Sequence, residues 1–391
     1  MRERDRRDQS RPAEAVEPAA VVSGAGSVLV AMSGGVDSSV AALLLKQQGL
    51  HVQGLTLDLG IGREGPRHSA FSCSPPAAVE RARQVCLRLD IPHHVIDCAK
   101  TFQELVIDPF CSQYAAGRTP NPCVRCNAFV KWPSLFQVAS TIGCSHVATG
   151  HYARTQLSAD RFQILRGQDR GKDQSYALYA LSQDWLRRTL LPLGSMTKAD
   201  ARRIAAKASL TTSDARESQD ICFIPEGDYR SFLAPRLSVR PGPVQDREGN
   251  VLGTHKGLPF YTVGQRKGLG IAAGEPLYVI EKNAADNLLV VGPRADLCKE
   301  TFCASEVNWV STPSPPEGST LQADVEVRYR SRPIPADLQV LGLDAVRIRL
   351  VAGHDQAIAP GQSAVWYQGD VLLGGGIIQG SGIGVQGSGS C

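Results

Sequence analysis

The most constraining stretch of this chain runs from Val28 to Ser39, VLVAMSGGVDSS. Its first five residues are apolar without alternation, the pattern of a strand buried on both faces. Ser33-Gly34-Gly35 breaks the strand. SSVAALLLKQQ, from Ser38 to Gln48, then reads as a helix that Gly49 ends. A strand, a glycine turn and a helix in this order call for an α/β fold, a parallel sheet with helices on both sides. The glycines let the main chain approach an anion closely. Amide groups at the helix start point at that anion, aided by the helix dipole. Ser33, Ser38 and Ser39 add hydroxyl groups. The loop lacks the lysine of a Walker A sequence, GxxxxGK[ST]. It therefore suits a pyrophosphate held by amides and hydroxyls, with Asp37 available to a magnesium ion. The plain alternative is an ordinary strand–turn–helix corner. Gly24 and Gly26 precede the strand, so they are not a dinucleotide fingerprint.

The pattern continues as strand and helix by turns. Val52–Leu59 and His93–Asp97 read as strands, Pro76–Leu89 as an amphipathic helix, and Cys144–Thr149 as a later strand, with a Gly/Pro/Ser loop over 60–75. After about residue 225 helical periodicity fades. Short strands follow at Tyr278–Glu281, Leu288–Val291, Ala323–Arg328, Ala345–Val351 and Ser363–Tyr367. A chain of 391 residues exceeds one ordinary core. We therefore expect a parallel-sheet domain over 25–225, a small β-rich domain over 226–293 and a C-terminal β-barrel over 294–380. Residues 1–24 hold five Arg and five acidic residues and no apolar segment, which predicts a disordered arm rather than a secretory signal. Residues 381–391, rich in Gly and Ser, predict a flexible tail. The net charge of +4 excludes a surface that binds nucleic acid everywhere and leaves room for a local basic stripe. No apolar run approaches the roughly 18 residues of a membrane span, so a cytoplasmic chain with no membrane partner is expected.

Eleven cysteines in a chain without an export signal are expected to be reduced: buried hydrophobes, metal ligands or reactive thiols. NPCVRCN, residues 121–127, carries a C-x-x-C pair that fits half a zinc site, a redox pair or chance. A zinc site needs a second pair, and Cys298 and Cys303 are distant and oddly spaced. Arg125 and Lys131 would favour thiolate. Cys222 lies in SQDICFIP, either as a core cysteine on an apolar strand or as a partner of Cys126. An adenylating loop needs no thiols. Combined with a reactive cysteine pair, it points to sulfur as the incoming nucleophile, carried as a persulfide.

SGGVDSS resembles the PP-loop of ATP pyrophosphatases, which adenylate an oxygen and release pyrophosphate. AMSGGVDSSVAALLL, AGRTPNPCVRCN, ATGHYAR, GKDQSYALYALSQ, SQDICFIP, TVGQRKGLGI, VRYRS, PGQSAVWY and LGGGII occur in that order. Together they resemble the tRNA-specific 2-thiouridylases, from about Val28 to Ile378. That resemblance implies conversion of uridine to 2-thiouridine at the wobble position of tRNAs for Lys, Glu and Gln. It implies ATP and Mg2+, a cysteine desulfurase or sulfur-relay protein as donor, and a monomer. It places ATP on Ala31, Met32, Ser33, Gly34, Gly35, Val36, Asp37 and Ser38, with Leu57 and Gly150 nearby. Cys222 would carry the persulfide and Cys126 would be the second catalytic thiol. Asn121, Pro122 and Cys123 would surround the flipped base. His151, Lys172, Asp173, Gln174, Arg328, Tyr329, Arg330 and Gln362 would contact tRNA, the cations on phosphates and the tyrosine as a stacking surface.

One position departs from the family pattern: Cys123 stands where well-known members have Asp, a proposed acid/base. Three thiols then become candidates for an iron–sulfur cluster, Cys123, Cys126 and Cys222. The competing readings are another sulfur-inserting or amidating PP-loop enzyme, a non-catalytic RNA-binding module, and a dithiol redox protein, which would not need SGGVDSS.

Overall fold

The structure, a computed structural model, describes residues 26–62, 76–210, 221–224, 227–351 and 353–380. The expected arm at 1–24, most of the loop at 60–75 and the tail at 381–391 lie outside the described residues.

The N-terminal unit opens with β1 (Ser27–Ala31), α1 (Val36–Gln47), β2 (His51–Asp58), α2 (Pro76–Arg88) and β3 (His93–Asp97). A helical stretch follows: α3 (Ala99–Phe102), α4 (Asp108–Ala115), α5 (Pro122–Cys126) and α6 (Trp132–Thr141). Then come β4 (His146–Ala148), a hairpin of β5 (Ala153–Ser158) and β6 (Arg161–Arg166), α7 (Gln183–Arg187), β7 (Thr189–Leu190) and α8 (Lys198–Lys207). The sheet order is β3-β2-β1-β4-β7, with every pairing parallel. Val28 and Val30 of β1 face Val40, Ala41 and Leu45 of α1, Val85 of α2 and Ala201 of α8. Leu29 between them faces Leu135 and Ala139 of α6. Burial on both faces is why β1 is continuously apolar.

The central unit holds α9 (Tyr229–Leu233), β8 (Gly242–Gln245), β9 (Val251–His255), β10 (Tyr278–Asn283) and β11 (Leu288–Gly292). Its sheet runs β10-β11-β8-β9 around Val244, Val279, Leu289 and Val291. The C-terminal unit holds β12 (Thr301–Trp309), β13 (Thr320–Glu326), β14 (Ile334–Val340), β15 (Val346–Leu350), β16 (Ser363–Gln368) and β17 (Val371–Ile378). These strands run β12-β15-β14-β13-β16-β17, and β12 also pairs with β17, which closes the barrel. Val325, Leu338, Ile348 and Trp366 fill its interior. The α/β class, the parallel N-terminal sheet, the small central domain and the C-terminal barrel are thus as the sequence led us to expect.

The β5–β6 hairpin was not legible. It lies within the N-terminal stretch, yet β6 pairs with β17, Leu372 opposite Ile164. Ile164, Tyr176 and Leu186 share one buried cluster with Val365, Tyr367 and Leu372 of the barrel. The hairpin therefore fixes the barrel beside the carboxyl ends of the parallel strands.

Candidate active site

The glycine loop sits where ligands gather in open α/β sheets. That place is the carboxyl edge of the sheet, at the point where strand order reverses on either side of β1. Gly34 has φ +71°, and a Cβ there would lie 2.2 Å from the Ala78 carbonyl oxygen. Backbone sign and space both demand glycine. Gly35 caps α1, so the helix starts at Val36, two residues earlier than the sequence suggested. The Ser33 amide donates to Ser38 Oγ at 3.2 Å, Ser39 Oγ donates to the Gly35 carbonyl at 2.8 Å, and Arg81 Nε donates to the Gly34 carbonyl at 3.1 Å. Met32 is anchored by its amide to the Leu55 carbonyl, while Ala31 ends β1 and Ser33 is exposed. A Cβ on Gly150 would lie 2.8 Å from the Asp37 carbonyl carbon and 2.9 Å from the Ser38 nitrogen. Gly150 therefore lets the loop after β4 press on the start of α1.

Asp37 is not open, as the sequence suggested. Lys198 Nζ reaches its two oxygens at 2.7 and 2.8 Å, and Tyr152 Oη donates to it at 2.7 Å. The Lys198 side chain is only 12% exposed, while that of Asp37 is 35% exposed. The loop without a Walker lysine thus receives one from α8, 161 residues further on. Thr197 caps that helix in a reciprocal box with Asp200. Thr197-Lys198-Ala199-Asp200 carried the signal for a helix start. Nothing local tied it to Asp37.

The thiols lie along the same edge. Asn121 caps α5 through Oδ1, which accepts from the Cys123 and Val124 amides at 3.1 and 3.4 Å, and Pro122 occupies the first turn. This short helix turns Cys123 to solvent and Cys126 inward. Cys126 is buried with Phe102, Phe110 and Phe223, and Leu59 from the end of β2 joins that cluster. Cys222 and Leu57, both half-buried, pack against it. The sequence weighed Cys222 on a strand; it lies instead in a turn closed by the Ile224 amide on the Ile221 carbonyl. A π-helical turn, Asn127–Lys131, follows Cys126 directly, a feature frequent at functional sites. Arg125 is committed elsewhere, its Nε to the Leu105 carbonyl at 2.7 Å and its plane over Phe129. Among the described residues no group of three or more His, Cys, Asp or Glu side chains converges as a metal site. Cys123, Cys126 and Cys222 therefore do not fit an iron–sulfur cluster, because α5 points its two thiols in different directions.

The residues expected to meet tRNA divide into exposed and internal ones. Arg328, Tyr329 and Arg330 are exposed on the turn after β13, and Lys172 is half-buried beside it. Asp173 is buried and accepts from the Gly167 and Ser175 amides, Ser175 Oγ and Arg166. Gln174 Oε1 accepts from the Tyr152 amide, and Gln362 Nε2 donates to the Thr119 carbonyl two residues before Asn121. These three side chains shape the site from within. His151 packs on Trp132 and bonds Thr149, and burial with Lys131 nearby pushes its pKa down to about 3. It is neutral at working pH and offers no cation to a phosphate. Arg166 and Glu326 carry no signature in the sequence. They form a buried pair at 2.6 Å beneath the turn, with the guanidinium also over the Tyr367 ring.

Family profiles cover nearly all of this. A tRNA methyl transferase HUP domain matches residues 26–226, a tRNA methyl transferase PRC-barrel domain 230–293, and an aminomethyltransferase beta-barrel domain 299–378. A tRNA-specific 2-thiouridylase of Synechococcus is 47% identical over 90% of this chain and 94% of its own length. That of Carboxydothermus hydrogenoformans is 44% identical over 92% and 99%. Among solved structures, a 4-thiouridine synthetase–RNA complex with bound ATP is 14% identical over 54% of this chain and 50% of that one. Its TM-score of 0.33 is too low to carry weight.

Proposed function

The chain belongs to the tRNA-specific 2-thiouridylase family and is a tRNA-uridine sulfurtransferase, and we propose that it thiolates C2 of the wobble uridine in tRNAs for Lys, Glu and Gln. One observation supports the mechanism above all. The glycine loop and the cluster holding Cys126 and Cys222 share the carboxyl edge of one sheet, joined through Leu57 of β2 and Leu59 just beyond it.

In the first step the loop from Ala31 to Ser38 cradles ATP. Uridine O2 attacks the α-phosphorus, an O–P bond forms, and pyrophosphate departs. Lys198 turns from Asp37 to the leaving pyrophosphate, where a preorganised cation counts most. Asp37 then remains as the carboxylate that would hold Mg2+ against the phosphates, a mode suited to that ion. In the second step the terminal sulfur of a persulfide on Cys222 attacks C2, and the former O2 leaves with AMP. Cys126 attacks Cys222 Sγ, either before the transfer, releasing the sulfide that then attacks C2, or after it, releasing the thiolated base. The S–S bond of the persulfide breaks in both, and the Cys126–Cys222 disulfide left behind is reduced by a cellular thiol. Asn121, Pro122 and Cys123 face the extruded base. Cys123 replaces a family Asp, so a proton leaving N3 passes to a thiolate or to water. A desulfurase or relay protein loads Cys222, and the enzyme works as a cytoplasmic monomer.

The test is nucleoside mass spectrometry of a tRNA-Glu transcript incubated with protein, Mg-ATP and a sulfur source, beside Cys222→Ser. We expect 2-thiouridine from the wild type alone and only with ATP. Pyrophosphate release without thiolation in the wild type would sink the sulfur step, and no pyrophosphate at all would sink the substrate.

A further inference from the structure

A cavity of about 580 Å³ lies beside the thiol segment, between the β6 end of the hairpin, the turn after β13 and the β16–β17 turn. Its size falls within the roughly 300–1,000 Å³ of small-ligand sites. Tyr176 and Tyr329, their rings 5.8 Å apart, form one wall. The Tyr176 hydroxyl interacts with Asn121, and the Tyr329 hydroxyl lies within electrostatic reach of the Cys123 thiol. The cavity therefore shares a wall with the segment proposed to hold the target base.

Three features mark it as a built site. Ser331 lines it and is more than nine-tenths buried, yet its hydroxyl oxygen has no hydrogen-bond partner. Glu326, 5% exposed, lines the cavity and bonds Arg166 through Oε1 at 2.6 Å. Burial holds its carboxyl above the usual range despite Arg166, so an added N–H donor would be welcome there. Arg330, at the mouth, has φ +59°, a left-handed conformation that non-glycine residues adopt where surrounding structure enforces it.

The lining also limits what fits. Arg166, Arg170 and Arg330 are matched by Asp173, Glu326 and Asp370, and Arg170 is paired with Asp370. A phosphate would meet three carboxylates. A neutral planar group with donors and acceptors on its edge and an aromatic face suits two tyrosines, a carboxylate and a hydroxyl.

We propose that this cavity receives a second nucleobase, that of a nucleotide adjoining the target uridine, with an N–H edge on Glu326 and a face on Tyr329. The proposal rests on the reading that Asn121–Cys123 hold the target base. Seating the neighbour fixes the strand on both sides of the reacting C2, so the pocket selects among anticodon loops.

The experiment uses the full chain and two synthetic anticodon stem-loops, one intact and one with abasic residues on both sides of the target uridine. Binding is read by fluorescence anisotropy and thiolation by mass spectrometry. The wild type should bind the intact loop at least about tenfold more tightly than the abasic one. Glu326→Gln should lose about tenfold on the intact loop, the size of one charge-assisted hydrogen bond, and under twofold on the abasic loop. Ser331→Ala, which leaves the Arg166 pair in place, should show the same selectivity at a few-fold. Equal losses on both RNAs would mean that Glu326 only supports Arg166, and the pocket would be abandoned. Equal wild-type affinity for the two RNAs would overturn it as well. If the wild type discriminates between the loops but thiolates neither, the pocket stands and the catalytic reading fails.

Discussion

At the scale of single residues, the shielded lysine on Asp37 is the feature most open to test. Replacing Lys198 by Met removes a charge-assisted contact worth about 1.5–3 kcal/mol, so kcat/KM for ATP should fall roughly tenfold to a hundredfold. Lys198→Arg, which keeps the charge on a wider head, should recover only part of it. Steady-state pyrophosphate release checks this, and an unchanged kcat/KM in the Met variant would confine Lys198 to folding. His151 gives a pH signature. Its pKa in the folded chain is about 3, below the ordinary 6.5. The unfolded state therefore binds the extra proton between those values, and stability falls as pH drops from about 6.5 towards 3. In that window the wild type should lose up to about 1 kcal/mol per pH unit more than His151→Gln. Urea midpoints at pH 7, 6, 5 and 4 would reveal it, and parallel curves would refute it.

At the scale of elements, the thiol segment depends on one cap. Asn121 satisfies two amides at the start of α5, and loss of such a cap typically costs about 1 kcal/mol. Asn121→Ala should lower the urea midpoint accordingly, Asn121→Asp should restore it, and neither result would hold if the cap were idle. The Asn-Pro pair is readable as a helix start, yet from the sequence 121–123 suggest base contacts and a C-x-x-C thiol and not a cap. Elements with a local cause were legible. β3 falls on the residues expected, and β1, the loop and the start of α1 announce themselves through apolar run and glycine pair. β17 does not read as a strand, since its three central glycines argue against one. The structure gives their reason. A Cβ on Gly375 would lie 2.6 Å from the Tyr179 ring, and one on Gly374 would lie 2.5 Å from the Asn308 carbonyl oxygen. They are small so that other elements can press on the strand. Lys198, Arg166 and Glu326 stayed hidden for a related reason: each acts on residues that only the fold brings near.

At the scale of the whole molecule, two units that are separate along the chain share one core. The β5–β6 hairpin extends the barrel sheet, and Ile164 is fully buried in one cluster with Trp132, Tyr176 and Leu178 of the N-terminal stretch and Tyr367 and Leu372 of the barrel. The turn after β13 and the thiol segment are thereby held at fixed spacing, which a flexible linker would not do. The N-terminal unit and the barrel should then unfold together. The chain has four tryptophans. Trp132 reports the N-terminal unit and Trp366 the barrel interior. In variants retaining one of these, urea transitions followed by fluorescence should coincide. Ile164→Ala, with a cost of about 2–5 kcal/mol for truncating a buried aliphatic side chain, should move both midpoints by the same amount. A shift seen by Trp132 alone would show that the barrel stands independently. The distance from Asn121 to the turn at Tyr329 would then be free to vary, and the fixed geometry that both base-binding proposals need would be lost.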